Sequence, residues 1–316
     1  MGTPSPSDER RHTPDDQPLW NESYYLDWFT DDGALGGYLR IGFYPNLNRV
    51  WYWGCIVGEG RRLVMVTSHD AELPKDPQSL EVRADGLWAD HSVDAPLEQF
   101  SVNLESFALE LDDPADMYHD QRGTLVPFGF ELDFTTDRAA YLWPPIQTRM
   151  EIPCKVHGQV MVGSDTIDID AWGQRDHSWG GPRDWWMMGW MWSAGRLDDG
   201  TRFHAVGGFH EPGGGVSDGT FGIAYLLDPD ASSSTEFDEF DEVRVSAAFG
   251  HEGLADSATL EFGGLTLDVE PIAWAPVLLV HDDGREARFP RALARFTARD
   301  GRRGHGWIEF NQPPTT

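Results

Sequence analysis

Two clusters of ionisable residues, Arg175-Asp176-His177 and Arg183-Asp184, lie inside an apolar stretch of this chain. The stretch, residues 172–192, reads W-G-Q-R-D-H-S-W-G-G-P-R-D-W-W-M-M-G-W-M-W and carries a large share of the chain's 14 tryptophans. A carboxyl desolvated by aromatic neighbours has a raised pKa and can keep a proton near neutral pH. A neighbouring imidazole can accept or relay that proton. An arginine can instead hold the carboxylate in its charged form. The residues leave two uses open. One is proton transfer. The other is a structural network, in which Arg175 or Arg183 pairs with Asp176 or Asp184 and ties two domains together.

Exposing so much aromatic surface costs hydrophobic free energy, so the stretch belongs in a core or a pocket wall. Residues 184–194 read as a strand covered on both sides. Trp185, Met187, Gly189, Met191 and Ser193 would face one way, and Trp186, Met188, Trp190 and Trp192 the other. In a barrel, the smaller face suits a lumen with room for a ligand, and the tryptophan face suits packing on a neighbouring domain. The reverse assignment lines a pocket for a long apolar molecule with tryptophan, and methionine adapts to such walls. Plain core packing is the third choice.

The elements that would position these groups are strands. Residues 1–18 are polar and rich in Pro, Asp and Arg. They read as a disordered tail without the apolar segment of a secretory signal. Residues 20–29 read as one short helix. Strand patterns follow at 38–44, 51–57, 61–68, 101–111 and 125–134. In the last of these Val126, Phe128, Phe130, Leu132 and Phe134 share a face. The section holding Trp143-Pro144-Pro145 and Ile152-Pro153 reads as a break, because proline fixes φ and removes a donor. The expected division is a tail at 1–18, a first β-domain at 19–153 and a second at 154–313. The second opens with Val156, Gly158, Val160 and Val162 on one face and continues in short strands to residue 310. Many short strands with tight turns and few helical patterns place the chain in the all-β class, as a sandwich or barrel.

Charge narrows the partners. The 53 acidic residues against 24 basic ones give a formal net charge of −29. That field repels phosphate backbones and anionic lipid, so neither nucleic acid nor a membrane surface is expected. No apolar run is long enough for a transmembrane helix, and the expected location is the cytoplasm. Cys55 and Cys154 could meet in space but form no disulfide framework. His204, His210 and Glu211 lack a tight ligand spacing, so no metal is expected. His119 could enter a cleft from the first domain. Pro212-Gly213-Gly214-Gly215 precedes no phosphate-binding lysine and no Rossmann unit, and no cofactor is expected. Ser178 lacks a Gly-x-Ser-x-Gly elbow and does not read as a hydrolase nucleophile.

The segment G-Q-R-D-H-S-W-G-G-P-R-D-W resembles the motif of bacterial proteins related to the carotenoid 1,2-hydratases (hydroxyneurosporene synthases) and the AttH-like proteins. The resemblance extends to Y-L-R-I-G-F-Y-P-N with Trp51 and Trp53, and to the closing G-H-G-W-I-E. It implies two tandem lipocalin-like antiparallel β-barrels around an apolar cavity. It also implies chemistry on isoprenoid-like molecules, by adding water to a double bond or cyclising after protonation. His177 and Trp179 match the His-x-Trp element of the hydratases. The Tyr-x-Asp pair expected one or two strands later is absent, and Phe203-His204 stands near that place.

Residue chemistry agrees with an acid-initiated alkene reaction. Such a reaction needs a shielded acid, a dry cavity and a way to stabilise a carbocation, which tryptophan faces supply. The expected roles are Asp176 as proton donor and His177 as its partner or as the base activating water. Arg175 completes that cluster, and Arg183 and Asp184 orient it. Trp179, Trp185 or Trp190 would stabilise positive charge, with Met187 and His204 also in the substrate-binding wall. The expected ligand is an apolar terpenoid, carotenoid or steroid, and no cofactor takes part. The competing expectation is a non-catalytic carrier in which the Arg-Asp-His cluster is an interdomain latch.

Overall fold

Alternation with period two governs nearly every element of the computed structural model, which describes residues 4–145, 147–208, 222–229 and 237–314. The first strands are β1 (Asn21–Phe29), β2 (Leu35–Tyr44), β3 (Arg49–Gly58), β4 (Leu63–Ala71), β5 (Val82–Ala84) and β6 (Leu87–Ala95). They continue as β7 (Gln99–Leu111), β8 (Thr124–Thr136), β9 (Tyr141–Leu142), β10 (Thr148–Val162) and β11 (Asp165–Gly180). The second series is β12 (Trp190–Leu197), β13 (Arg202–Gly208), β14 (Gly222–Leu227), β15 (Asp238–Phe240), β16 (Arg244–Phe249) and β17 (Ala255–Phe262). It ends with β18 (Leu265–Trp274), β19 (Val277–Val280), β20 (Glu286–Phe289), β21 (Arg291–Ala298) and β22 (Arg303–Asn311). Among the described residues the helical turns are all short 3-10 segments.

The first series forms one antiparallel sheet in the order β4-β3-β2-β1-β11-β10-β8-β7-β6-β5. An added β4–β7 pairing closes the sheet into a barrel, with β6 and β5 continuing beyond β7. The second forms a sheet in the order β15-β14-β13-β12-β22-β21-β18-β17-β16, with β19 and β20 as a separate hairpin. The fold is therefore all-β and lipocalin-like.

Three apolar layers follow from the alternation. Leu26, Ile41, Tyr52, Phe134 and Val156 fill the first barrel. Phe203, Leu260, Phe296 and Ile308 fill the space behind the second sheet. Between them lies an aromatic layer containing Tyr25, Trp53, Trp185, Trp192, Tyr225 and Phe289. Trp190 and Trp192 face this middle layer, whereas Met191 faces the second barrel.

Three expectations change. The expected helix at 20–29 is strand from residue 21 onward. β1 is buried on both faces, with Tyr24, Leu26 and Trp28 in the barrel and Tyr25 and Phe29 in the middle layer. Two apolar faces leave no alternation for sequence to display. Residues 184–194 do not form one strand, since β12 starts only at Trp190. The Asp184 carboxylate accepts the Trp186 backbone N–H at 3.0 Å, an Asx-type turn that breaks extension there. The change of sheet falls between Gly180 and Trp190 rather than at Pro153. Pro153 sits inside β10, where the neighbouring partner switches from β9 (at Met150 and Glu151) to β8 (from Cys154 onward). A missing N–H is harmless at such a gap in the ladder.

Cys55 and Cys154 are both buried and free, in different apolar layers. His119 pairs with Glu252 at 3.2 Å on the surface. His210 and Glu211 lie outside the described residues.

Candidate active site

β10 and β11 pair along their whole length and turn the same alternate residues toward the middle layer. On β10 these are Arg149 and Glu151. On β11 they are Gln174, Asp176 and Ser178, and on β1 Tyr25 and Asp27 stand opposite Asp176 and Gln174. The other face of β11 turns Arg175 and His177 into the first barrel, while Trp179 near its end stacks on His12 and reaches the cavity. Successive strand side chains point to opposite faces.

This alternation divides the expected trio. Asp176 does not touch Arg175 or His177. Its Oδ2 accepts Arg149 Nη2–H at 2.6 Å, and Arg149 Nε donates to Glu151 Oε1 at 2.7 Å. Arg175 donates instead to Glu9 at 2.6 Å, on the segment before β1. His177 Nε2 bonds Glu22 Oε1 at 2.6 Å and its ring stacks on Tyr24. The roles expected for His177 and Arg175 beside Asp176 are thereby corrected. So is the interdomain latch, since every ion-pair partner of the three lies in the first barrel or its leading segment.

The contacts that do join the sheets come from other residues. Trp192 Nε1–H donates to Glu151 at 3.1 Å, and Gln174 Nε2–H donates to Tyr225 Oη at 3.1 Å. Tyr38 Oη–H donates to the Ala275 carbonyl at 2.8 Å, and Trp307 Nε1–H to the Trp28 carbonyl at 3.1 Å.

A cavity of about 660 Å³ opens beside the Arg149 network. Trp143, Trp190, Trp192 and Met188 supply its apolar wall, and Arg149, Arg183, Asp184 and Trp179 its polar side. Arg183 Nη2–H donates to Ser178 Oγ at 2.7 Å, and its guanidinium lies 5.6 Å from the Trp185 ring. The Trp143 ring holds the Arg149 guanidinium at 4.9 Å.

The remaining expected wall residues stand elsewhere. Trp185 is buried against Tyr44 and Phe289 and does not line the cavity. Met187, at the turn before β12, is 75% exposed and points to solvent, while its neighbour Met188 reaches the cavity. His204 is fully buried behind Trp192 and Trp143, with Nε2 3.5 Å from Glu151 Oε1.

Burial controls the electrostatics. It pushes Asp176 up to about 6, against the pull of Arg149. Arg149 would fall through burial, but Asp176 and Glu151 outweigh this and raise it. His204 is held well below the usual imidazole range by burial and then by Arg149, so it is neutral at physiological pH. Asp27, fully buried between Tyr25 Oη and the Gln174 N–H, is raised to about 8, chiefly by burial.

His12 Nδ1, Glu22 and His177 Nε2 form the one group of metal-type donors among the described residues, all within 4.8 Å of one another. Both ring nitrogens already contact the same carboxylate oxygen at hydrogen-bond length, 2.9 and 2.6 Å. Burial would raise Glu22, but the bonds from His12 and His177 outweigh it and lower the group.

Sequence reasoning missed Arg149, Glu151, Gln174, Tyr225 and Trp143. One signal was available. Arg149 and Glu151 are charges spaced by two among Met150, Ile152 and Val156, the pattern of a strand with one ionised buried face. The prolines on either side hid it.

The chain belongs to the family described as "Domain of unknown function (DUF7064)", whose model matches residues 5–314. No curated protein matches it. Solved structures similar to it include a protein described as a candidate AttH from Nitrosomonas europaea, with a TM-score of 0.63 and 14% identity, covering 92% of each chain. CghA, solved with Sch210972, is similar at a TM-score of 0.58 and 13% identity, covering 95% of this chain and 89% of that one. Kievitone hydratase from Nectria haematococca is similar at a TM-score of 0.58 and 11% identity, covering 93% of this chain and 90% of that one. The shared property is the AttH-like fold.

Proposed function

We propose that this member of the DUF7064 family is a cofactor-independent hydratase or cyclase that protonates a carbon–carbon double bond of an apolar, isoprenoid-like substrate. The observation that carries the reading is Asp176: a buried carboxyl with a pKa near neutral, beside a cavity walled by tryptophan. Its side chain is 5% exposed and accepts from Arg149, which lines the cavity. In this reading Asp176 gives its proton to one alkene carbon, and the other carbon becomes cationic. The faces of Trp143, Trp190 and Trp192 stabilise the cation. Water then adds to the cation and returns a proton to the Asp176 carboxylate, giving net hydration. Alternatively a second double bond attacks, a ring closes, and the carbocation loses a proton to the same carboxylate. Arg149 positions the carboxyl and steadies its charged form between the two steps. The likeness in fold to a protein named as a hydratase is in keeping with this chemistry.

The test is incubation of the protein in D₂O with a panel of terpenoid, carotenoid and steroid alkenes, followed by mass spectrometry. Acid-initiated chemistry leaves deuterium on carbon in the product. Recovery of every compound without carbon-bound deuterium, while the protein binds them, supports a carrier and ends the enzyme reading.

A further inference from the structure

The charges around the cavity are paired unevenly. Its lining contains four charged side chains, Arg149, Arg183, Asp15 and Asp184. Three of them are already engaged. Arg149 bridges Glu151 and Asp176. Asp15 accepts from the Gln17 backbone and side chain at 2.9 and 3.3 Å. Asp184 accepts from the Trp186 backbone. Arg183 has only the Ser178 hydroxyl, and among the described residues it forms no ion pair. Arg149 Nη1 likewise has no partner among the described residues.

Arg183 is half-buried at the cavity wall, and a partly desolvated guanidinium without a carboxylate is improved by a ligand that completes it. The surroundings of Arg183 make its position worse. Burial, followed by the like charges of Arg149 and Arg40, pulls it down to about 10. Arg40 is itself buried, bonds Asn21 Oδ1, and lies over the rings of Trp53 and Trp185. Arg149 and Arg40 thus crowd Arg183 with like charge at the tryptophan-bearing wall, while Asp15 and Asp184 stand in the same lining. The Trp185 ring lies 5.6 Å from Arg183, whose planar fork is the geometry that receives a two-oxygen anion.

We propose that Arg183, with the free edge of Arg149, binds a carboxylate on the substrate, so that the molecule taken into this cavity is an apolar acid rather than a neutral hydrocarbon. A monoanion fits better than a phosphate, because Asp15 and Asp184 at the same lining repel a second negative charge. The inference rests on the cavity of the proposed function but not on its proton chemistry.

The matched probes are retinoic acid and retinol, which share a skeleton and differ in the carboxylate. Each is titrated into the protein while quenching of tryptophan emission is followed. The expected result is that retinoate binds at least about tenfold tighter than retinol, the order of one charge-assisted contact. Arg183→Met and Arg183→Gln should both abolish that preference, bringing retinoate affinity to that of retinol in the same variant. Equal affinity of the wild-type protein for the two probes overturns the carboxylate site alone. A preference that survives in a folded variant overturns it too. Failure of both probes to bind overturns the apolar cavity and this inference with it. Absence of deuterium transfer with an intact preference for retinoate ends only the proposed reaction.

Discussion

Arg149 donates from β10 to Asp176 on β11 across 2.6 Å, and the two residues are diagonal rather than direct neighbours in the ladder. Asp176 stands opposite Glu151, and Arg149 opposite Ser178. The same guanidinium also holds Glu151, so one cation lies between two buried carboxylates at the edge of the cavity. Removing it leaves both carboxylates uncompensated. Arg149→Met should destabilise the protein by about 3–5 kcal/mol, read as a lower denaturation midpoint. Adding Glu151→Gln should recover part of that loss. A midpoint unchanged in the single variant contradicts this reading of the network.

The pH dependence of turnover follows from the donor's role. Asp176 gives a proton only when protonated, and its pKa lies at about 6. The rate with any alkene substrate should therefore fall as pH rises through about 6, with a slope of one proton. A rate that rises across the same window would assign Asp176 to the base and a different group to the acid.

Asp27 sets a stability trend of opposite origin. Its carboxyl is raised from 3.8 to about 8, mainly by burial, so the native state binds this proton more tightly than the unfolded chain. Stability from this group is fully present below 3.8, declines as pH rises toward about 8, and changes no further above it. Asp27→Asn fixes the neutral form between Tyr25 and Gln174. The variant should melt on the order of a few degrees higher than the wild type above that window. It should also lose less stability on going from acid to alkaline buffer. Parallel pH curves for the two proteins would show that Asp27 ionises without cost.

Glu22 joins the segment before β1 to the first barrel, through His12 and His177. None of these residues faces the middle layer. Glu22→Gln weakens contacts worth about 1–3 kcal/mol. It should speed proteolysis within residues 4–20 while leaving turnover within a few-fold of wild type. Loss of turnover with the segment still protected would place this cluster in the chemistry.

Much of this arrangement was readable from period two alone. The expected alternation over 125–134 lies within β8 (Thr124–Thr136), and Val156 and Val160 do share the barrel face of β10. The motif at 175–177 drew attention to the right strand, yet adjacency in sequence misled. Once β11 runs unbroken through Gly173, neighbours must part to opposite faces, and Asp176 looks for partners at diagonal positions on β10. Which residue of β10 stands there depends on register, and register is a tertiary property. β1 defies alternation for a related reason: a strand packed on both sides buries polar residues such as Glu22 and Asp27 as well, so polarity no longer marks a solvent face.

The most direct test of Asp176 compares the wild-type protein with Asp176→Asn in the same D₂O incubation, with substrate binding and melting temperature measured alongside. Asparagine keeps the shape and can still accept from Arg149, but cannot supply the acidic proton. The expected result is a folded variant that binds the alkene normally and incorporates deuterium about 10²–10⁴-fold more slowly. A folded Asp176→Asn variant that incorporates deuterium at the wild-type rate would show that the proton comes from elsewhere.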